Sequence, residues 1–474
     1  MTSPISLPLW LFLLVVAFAA WAALERVLVP GVRWWLRRRI NRVIDEVNTH
    51  LDISIRPFQL TKRQVLIDRL AFDPKVIEAM QVYAIENKMP RAVAQAEVLK
   101  YAREIVPAFN AYAYFRVGYW LAERLARLLY RVRVGFADNE RLAKIDPEAT
   151  VVFVMNHRSN MDYVLAAFLA AEQTALSYAV GEWARIWPLQ QLVRAMGAYF
   201  VRRNSKNPLY RRVLERYVNM ATWEGVCQAV FPEGGLSRDG RLQKPKIGIL
   251  DYMLRGFDPA RGRDIVFVPV GLNYDRTLED RSLVRRLDPN AARRSKLFVL
   301  RTTFGFIGHN IWLMLRHRWL RFGYASVNFG TPVSARAWCR AQDANPATLA
   351  PDVRGPLVEK LAGELMQHVG RLVPVLPVPL VAEAVLAAPE GVSEFDLKAA
   401  VYRRIEALQQ QGAVVVVPSR TRAFTIDTAF NTLKLRRLVV EDNGRYRLNP
   451  EAHDVLAYYA NSLEGWARRE EPGV

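Results

Sequence analysis

Hydrophobic and polar positions recur with different periods along the chain, and the changes of period divide it into segments. Residues 4–24 are apolar and contain no charge, and about 20 apolar residues are enough to cross a bilayer. From residue 26 to 130 the apolar positions recur at helical spacing, which predicts a helical region. From 131 to 375 short β-branched or aromatic runs alternate with helix-like stretches. That alternation predicts an α/β domain in which helices flank a mixed sheet.

The charges around the apolar segment predict its orientation. Residues 1–3 carry no Lys or Arg, whereas a cluster of arginines follows the segment: Arg26, Arg33, Arg37, Arg38, Arg39 and Arg42. Because cytoplasmic flanks of membrane helices are rich in Arg and Lys, we expect residues 1–25 to form a transmembrane anchor with the remaining chain on the cytoplasmic side. A signal peptide and a buried core helix are the alternatives, and the absence of a basic start argues against the first.

Residues 376–474 have a pattern of their own. Ser393 is a candidate N-cap for a helix that ends near Gly412, and a second helix is predicted within 427–440. The Asn443–Gly444 pair predicts a hairpin turn, and Pro450 is suited to the first position of a last helix. Helix, helix and hairpin together are the outline of a small winged-helix-like module.

Residues 306–323 mix tryptophans, leucines and arginines in one helical stretch. This composition is typical of an element that lies in a bilayer interface. An ordinary core helix whose arginines reach past the apolar surface to water has the same composition. The sequence leaves both interpretations open.

The overall charge favours anionic partners. The net charge is +20 over 474 residues, which suits phosphate-bearing molecules, anionic lipid surfaces, acidic carrier proteins or nucleic acid. Cys227 and Cys339 are the only cysteines, too few for a disulfide framework or a cysteine-rich metal site. No other group of residues has convincing metal-ligand spacing, so we expect no metal and no bound cofactor.

A dense group of polar residues, NHRSNMD, follows the apolar run TVVFVM, residues 150–155. His157 would lie where the predicted strand ends, and Asp162 in the first turn of the next helix. If the chain folds back there, the carboxylate can fix the tautomer of the imidazole. The other ring nitrogen is then free to take a proton from a hydroxyl group. An isolated pair with this spacing usually arises by chance, so other residues must support the prediction.

Four later blocks support it, each at the end of a predicted strand or in the turn after one. They are GAYFVRR at 197–203, FPEGGLSR at 231–238, KPKIGIL at 244–250 and VFVPV at 266–270. Glycines let backbone N–H groups approach an anion, and arginine or lysine side chains bind phosphate. The second of these blocks also supplies the carboxylate of Glu233.

The ordered set NHRSNMD, GAYFVRR, FPEGGLSR and VFVPV resembles the four motifs of glycerolipid acyltransferases. The resemblance is closest to the membrane-bound glycerol-3-phosphate acyltransferases of bacteria. The resemblance implies that His157 is the general base and that Asp162 orients it, without an acyl-enzyme. It implies substrate binding by residues of the other three motifs: Gly197, Arg202, Arg203, Glu233, Gly234, Ser237, Arg238 and Pro269. Lys244 and Lys246 would add positive charge. Leu236 departs from the family, in which an Arg or Lys often occupies this position.

The function expected from this resemblance is transfer of an acyl group from acyl-CoA or acyl carrier protein to glycerol 3-phosphate, at the inner membrane. The acceptor could instead be 1-acylglycerol 3-phosphate or dihydroxyacetone phosphate. A membrane-tethered DNA-binding regulator is a second class, suggested by the charge and by Lys434, Arg436 and Arg437. An inactive acyltransferase-like scaffold is a third, although the motif residues argue against it.

Overall fold

The computed structural model describes residues 56–170, 175–181, 184–185, 189–202, 205–288, 321–417, 422–442 and 444–467. The predicted anchor at 4–24 and residues 306–320 of the predicted interfacial element lie outside these ranges, as does Arg203. No helix within the described ranges is both long and apolar enough to span a bilayer. The anchor and the interfacial element therefore remain predictions.

Helices dominate the chain ahead of the sheet. They are α1 (Pro57–Leu60), α2 (Arg63–Ala71), α3 (Pro74–Glu86), α4 (Arg91–Ile105) and α5 (Tyr119–Leu129), the last preceded by a π-helical segment, Ala113–Gly118. Helix α3 shows how such a helix begins. The Asp73 side chain accepts hydrogen bonds from the N–H groups of Lys75 and Val76, and Pro74 takes the first helical position, where no N–H is needed.

The central domain is built on one sheet. Its strands are β1 (Arg131–Ala137), β2 (Thr150–Met155), β3 (Ser177–Val180), β4 (Tyr199–Phe200), β5 (Gln228–Val230), β6 (Ile265–Tyr274), β7 (Tyr324–Phe329) and β8 (Val333–Ser334). Their order in the described chain is β1-β7-β6-β2-β5-β3-β4, with β8 beside β6. β2 runs parallel to β5 and β6, whereas β7 is antiparallel to β6.

Helices flank this sheet and connect its strands. They are α6 (Asn139–Leu142), α7 (Met161–Ala170), α8 (Leu189–Ala195), α9 (Pro208–Trp223), α10 (Gly248–Leu254), α11 (Asp280–Val284), α12 (Ala335–Ala341) and α13 (Pro351–Leu372). Every residue of β2 and β6 is buried, which explains why these strands read as unbroken apolar runs. The predicted mixed sheet with flanking helices is thereby confirmed.

A second core lies in the C-terminal module. Its elements are α14 (Pro377–Leu386), β9 (Val392–Ser393), α15 (Glu394–Gln410), α16 (Arg422–Leu435), β10 (Val439–Asp442), β11 (Arg445–Leu448), α17 (His453–Ala460) and α18 (Glu464–Ala467). Ser393 caps α15 by accepting from the N–H of Asp396. The hairpin gains β9 as a third strand, which two residues are too short to signal in a sequence. The winged-helix interpretation remains a prediction.

The module does not pack by itself. Its apolar core includes Leu283 and Val284 of α11, as well as Val375 in the link between α13 and α14. Asp275, just after β6, accepts from the N–H of Tyr324 at 2.8 Å and from the N–H of Val378 at 2.9 Å. One buried carboxylate thus joins the sheet to the first helix of the module.

Candidate active site

His157 and Asp162 meet in the turn between β2 and α7. Nδ1 of His157 and Oδ2 of Asp162 are 2.8 Å apart. His157 is 2% exposed and Asp162 is fully buried. The carboxylate therefore fixes the ring orientation and can stabilise an imidazolium, and this leaves Nε2 as the nitrogen that can exchange a proton with a ligand.

Four donors hold the Asp162 carboxylate in place. Oδ2 also accepts from the N–H groups of Arg158, at 2.7 Å, and Ser159, at 3.0 Å. Oδ1 accepts from the hydroxyl of Tyr274, at 2.7 Å, at the end of β6. Burial and then the adjacent Asp162 keep the pKa of Tyr274 well above its usual value, so its hydroxyl stays a donor. With its acceptor sites filled, the carboxylate cannot turn away from the ring.

Glu233 braces the same turn from the neighbouring strand β5. Its Oε1 accepts from the N–H of His157 at 2.6 Å, and its Oε2 accepts from the N–H of Gln243 at 3.0 Å. The N–H of Ser237 donates to the carbonyl oxygen of His157 at 2.9 Å. Burial raises the pKa of Glu233 to about 7, although its two N–H donors pull the pKa down. Glu233 and Ser237 therefore hold the backbone on both sides of the His157 ring.

Aromatic rings surround the open nitrogen of His157. The imidazole stacks on Phe231 with ring centroids 4.2 Å apart. The hydroxyl of Tyr163 lies 3.4 Å from Nε2, and the Tyr163 ring stacks on Tyr178. The Tyr163 hydroxyl is thus the described polar group nearest to the side from which a substrate hydroxyl would approach Nε2.

Two further polar side chains fix the NHRSN segment. The Asn156 side chain donates to the carbonyl oxygen of Leu272 and accepts from its N–H, at 2.9 and 2.7 Å, and so pairs with β6 like another residue of the sheet. Glu279 accepts from the Ser159 hydroxyl at 2.8 Å and from the side-chain amide of Asn160 at 3.0 Å. Burial raises the pKa of Glu279. The polar run after β2 is thus a fastened turn.

The structure brings five of the predicted site residues together at this turn: His157, Asp162, Glu233, Gly234 and Ser237. Gly234 has φ +67, and a Cβ there would lie 2.8 Å from Cδ of Lys246. That close approach puts the exposed Lys246 side chain against the turn.

Other predicted residues lie farther from the pair or have partners elsewhere. Arg202, after β4, forms a two-pronged ion pair with Glu104, at 2.7 and 2.8 Å. Lys244 is exposed and pairs with Glu359 at 3.0 Å. Arg238 is exposed and has no carboxylate partner among the described residues.

Gly197 and Pro269 are fixed by backbone contacts. Gly197, with φ +83, precedes β4, and its carbonyl oxygen accepts from the hydroxyl of Ser177. Pro269 lies within β6 opposite Val154 of β2, and its carbonyl oxygen accepts from the N–H of Gly330. Neither contact involves the His157 ring.

Leu236 explains the departure noted in the third motif. Its side chain packs against the apolar core of the C-terminal module. A charged side chain at this position would have to leave that contact, so Leu236 exchanges a possible phosphate ligand for packing between the two cores.

Sequence reasoning missed Tyr274, Glu279, Tyr163 and Phe231. The polar end of the β6 run was a usable signal for Tyr274, because β6 is parallel to β2 and ends beside it. Phe231 and Tyr163 are next to motif residues, but apolar neighbours of a motif carry no distinctive pattern. Within the described residues no three His, Cys, Asp or Glu side chains are grouped so that they could hold a metal ion.

Two family models match the chain. The acyltransferase model matches residues 133–273, which include the whole His157 turn, and the model described as "Glycerol-3-phosphate acyltransferase C-terminal region" matches 310–464. The first match ends within β6, and the second continues through most of the C-terminal module. Together they cover most of the sheet strands and most of the C-terminal module.

Curated relatives named glycerol-3-phosphate acyltransferase align with much of the chain. The protein from Pseudomonas putida KT2440 is 30% identical over 340 residues, 69% of this chain and 39% of its own length. The protein from Pseudomonas entomophila L48 is 30% identical over 362 residues, 74% of this chain and 42% of its own length. The chain thus spans about two fifths of the length of the curated relatives it matches.

Among solved structures, a 1-acyl-sn-glycerophosphate (LPA) acyltransferase, PlsC, from Thermotoga maritima is 16% identical, with a TM-score of 0.28 over 53% of this chain and 79% of that chain. This similarity is too low to support any statement about function. The family models and the aligned relatives do support one about family. By its sequence the chain accordingly contains an acyltransferase domain followed by a C-terminal region of the glycerol-3-phosphate acyltransferase type.

Proposed function

We propose that the chain is a glycerol-3-phosphate 1-O-acyltransferase, which moves a fatty acyl group from a thioester to the sn-1 hydroxyl of glycerol 3-phosphate. The product is lysophosphatidic acid, and the reaction is the first step of phospholipid synthesis. The observation that supports this best is the buried contact of 2.8 Å between His157 Nδ1 and Asp162 Oδ2, which leaves Nε2 as the only ring nitrogen available to a substrate. The names of the aligned relatives support the acceptor.

The chemistry follows from that geometry. Nε2 of His157 takes the proton of the acceptor hydroxyl as its oxygen attacks the thioester carbonyl carbon. The C–O bond forms and the C–S bond breaks, and the imidazolium returns the proton to the departing thiolate. Asp162 stabilises the imidazolium throughout. No residue of the chain becomes acylated.

Cationic side chains near the turn are proposed to bind the acceptor phosphate. Arg238 and Lys246 are exposed beside the turn that contains Glu233 and Gly234, and phosphate favours such donors. Lys244 contributes only if its pair with Glu359 opens. Arg202 is already held by Glu104, so its proposed role is to shape the site.

The donor and the location are part of the same proposal. Acyl-CoA and acyl carrier protein are both anionic, and the charge of +20 suits either. The apolar residues 4–24 and the arginines after them support an anchor in the inner membrane with the His157 turn on the cytoplasmic side. Membrane lipids would then surround the anchor and receive the product.

The experiment measures acyl transfer from labelled acyl-CoA or acyl carrier protein, in membranes that contain the full chain. We expect glycerol 3-phosphate to be acylated and His157→Ala to abolish the reaction. His368→Ala is the matched control, because His368 is exposed on α13 and lies outside the turn; its activity should equal that of the wild type. Acylation of only 1-acylglycerol 3-phosphate or dihydroxyacetone phosphate would replace the acceptor but keep the mechanism. Equal activity of His157→Ala and wild type would refute the assignment of the base.

The DNA-binding alternative loses two of its three cations. Arg436 forms a buried ion pair with Asp280, and Lys434 pairs with Glu441 at 2.9 Å. Of the three, Arg437 is left without a described carboxylate partner. A single free cation is a weak basis for binding a phosphate backbone.

A further inference from the structure

A cavity of about 900 Å³ lies between the sheet domain and the C-terminal module. Helix α13, the loop that follows Gly240, and the segment around α18 form its walls. Asn156 and Arg158 reach it from the two sides of His157, but His157 does not line it. Of the described residues predicted above for substrate binding, none lines it either. The cavity is therefore distinct from the open nitrogen of the catalytic pair.

Arg158 is a buried cation that lacks a matching anion. Its side chain is 4% exposed and forms no ion pair with any described carboxylate. The guanidinium lies 5.1 Å from the centre of the Tyr458 ring, and one terminal nitrogen donates to the carbonyl oxygen of Gly240. A buried charge without a counter-ion is costly, so a ligand anion at this wall would be strongly favoured.

The rest of the wall has the same preference. Arg241 and Arg371 also line the cavity, and among the described lining residues Glu464 is the only acidic side chain; it pairs with Arg241 at 2.9 Å. The wall thus offers cationic donors to an anion.

We propose that this cavity binds a phosphate monoester. Arg158 and Arg371 match the charge of a phosphate, and Arg241 adds to it only if its pair with Glu464 opens. Two molecules of the proposed reaction contain such a group: the acceptor glycerol 3-phosphate and the nucleotide part of a coenzyme A donor. The choice between them rests on the proposed function, whereas phosphate binding itself does not.

Glycines in α13 provide a blocking variant and its control. A Cβ built on Gly363 meets no atom within 4 Å, and Gly363 lines the cavity. Gly355 lies in the same helix, its Cβ also meets nothing, and it does not line the cavity. Gly363→Trp should therefore fill the space without disturbing the helix, and Gly355→Trp should introduce the same side chain elsewhere.

Binding is measured first, by titration calorimetry on the purified full chain with inorganic phosphate, sn-glycerol 3-phosphate and coenzyme A. We expect Gly363→Trp to weaken binding of at least one of these at least tenfold, Arg371→Gln to weaken it severalfold, and Gly355→Trp to match the wild type. Thermal unfolding of each variant checks that it is folded. Unchanged binding in Gly363→Trp, or no binding of any probe to the wild type at millimolar concentration, would overturn the proposal.

Kinetics then identifies the source of the phosphate. If Gly363→Trp raises KM for acyl-CoA, the ligand is the donor. If it raises KM for glycerol 3-phosphate, the ligand is the acceptor, and the assignment of the acceptor phosphate to Arg238 and Lys246 is wrong. The same titration with His157→Ala separates the two proposals, because a chain without the base should still bind phosphate. Failure of acyl transfer with intact phosphate binding would reject the proposed function and leave the cavity assignment standing.

Discussion

Asp162→Asn is the sharpest test of the catalytic pair. The carboxylate lies 2.8 Å from Nδ1 of His157, and at an effective dielectric constant near 20 a charge pair at such distances attracts by about 4–6 kcal/mol. That attraction develops only when the imidazole becomes protonated in the transition state. An asparagine oxygen in the place of Oδ2 can still accept from the N–H groups of Arg158 and Ser159, and the Tyr274 hydroxyl can rotate to accept from its amide. The fold should therefore persist while the charge is lost.

At 1.36 kcal/mol per factor of ten, we expect kcat to fall by about a thousand- to ten-thousandfold. Stability should fall by about 1–2 kcal/mol, the scale of one weakened buried hydrogen bond. The assay is steady-state acyl transfer to glycerol 3-phosphate, paired with urea unfolding. Asp275→Asn is the matched control, since that buried carboxylate accepts from two N–H groups but does not touch His157. It should lose stability and keep kcat.

Asp162→Ala separates geometry from charge. It leaves the N–H groups of Arg158 and Ser159 and the hydroxyl of Tyr274 without their acceptor. Each unpaired buried donor costs about 1–3 kcal/mol, so this variant should be less stable than Asp162→Asn by several kcal/mol. If Asp162→Asn keeps more than a tenth of the wild-type kcat, the carboxylate does not stabilise an imidazolium, and the reasoning is wrong.

Three further predictions concern the surroundings of the pair. Tyr163→Phe removes the hydroxyl that lies 3.4 Å from Nε2 of His157. It should leave kcat within about threefold of the wild type and lower KM for the acceptor. A fall in kcat of roughly a hundredfold, the effect of a proton-transfer group, would mean instead that the hydroxyl takes part in proton transfer. Glu233 has a folded pKa of about 7 against an ordinary 4.5, so the folded state binds the extra proton and the free energy of unfolding should fall as pH rises between these values. Urea unfolding at pH 5 and pH 8 should show a loss that is larger in the wild type than in Glu233→Gln by up to about 3 kcal/mol; the buried Asp275, whose pKa is also about 7, contributes the same loss to both. Gly240→Ala should lower Tm more than Gly262→Ala: both residues have positive φ, but only at Gly240 would the Cβ meet a backbone oxygen, 1.9 Å away.

The contact between His157 and Asp162 was predictable because the two residues are close in sequence and lie on successive elements. The strand at 150–155 and the helix from Met161 could be read from composition, and a turn between them brings position 157 to position 162. Glu233 and Ser237 were predictable for a related reason. They follow β5, a parallel neighbour of β2, and the carboxyl ends of parallel neighbours meet at one edge of the sheet.

Long-range polar pairs were not predictable. Arg202 was assigned to the substrate by its motif, but its guanidinium is held by Glu104 on α4, 98 residues earlier. Nothing in the local pattern of either residue announces the other. The same holds for Arg158, whose side chain lies over Tyr458 from the far end of the chain. A sequence pattern reports which face of an element is apolar, but it does not report which distant charge will neutralise an arginine.

These long-range contacts make the C-terminal module part of the site. The Tyr458 hydroxyl donates to the carbonyl oxygen of Arg158 at 3.2 Å, and Asp280 accepts from both Arg436 and the hydroxyl of Tyr459. Replacing either Asp280 or Arg436 with a neutral residue would leave the other charge buried without its partner, which costs about 3–5 kcal/mol for a pair of this kind. Losing the module would also remove the Tyr458 hydrogen bond to the backbone next to His157. We therefore expect the module to affect acyl transfer through the position of the His157 turn, even though none of its described residues approaches Nε2.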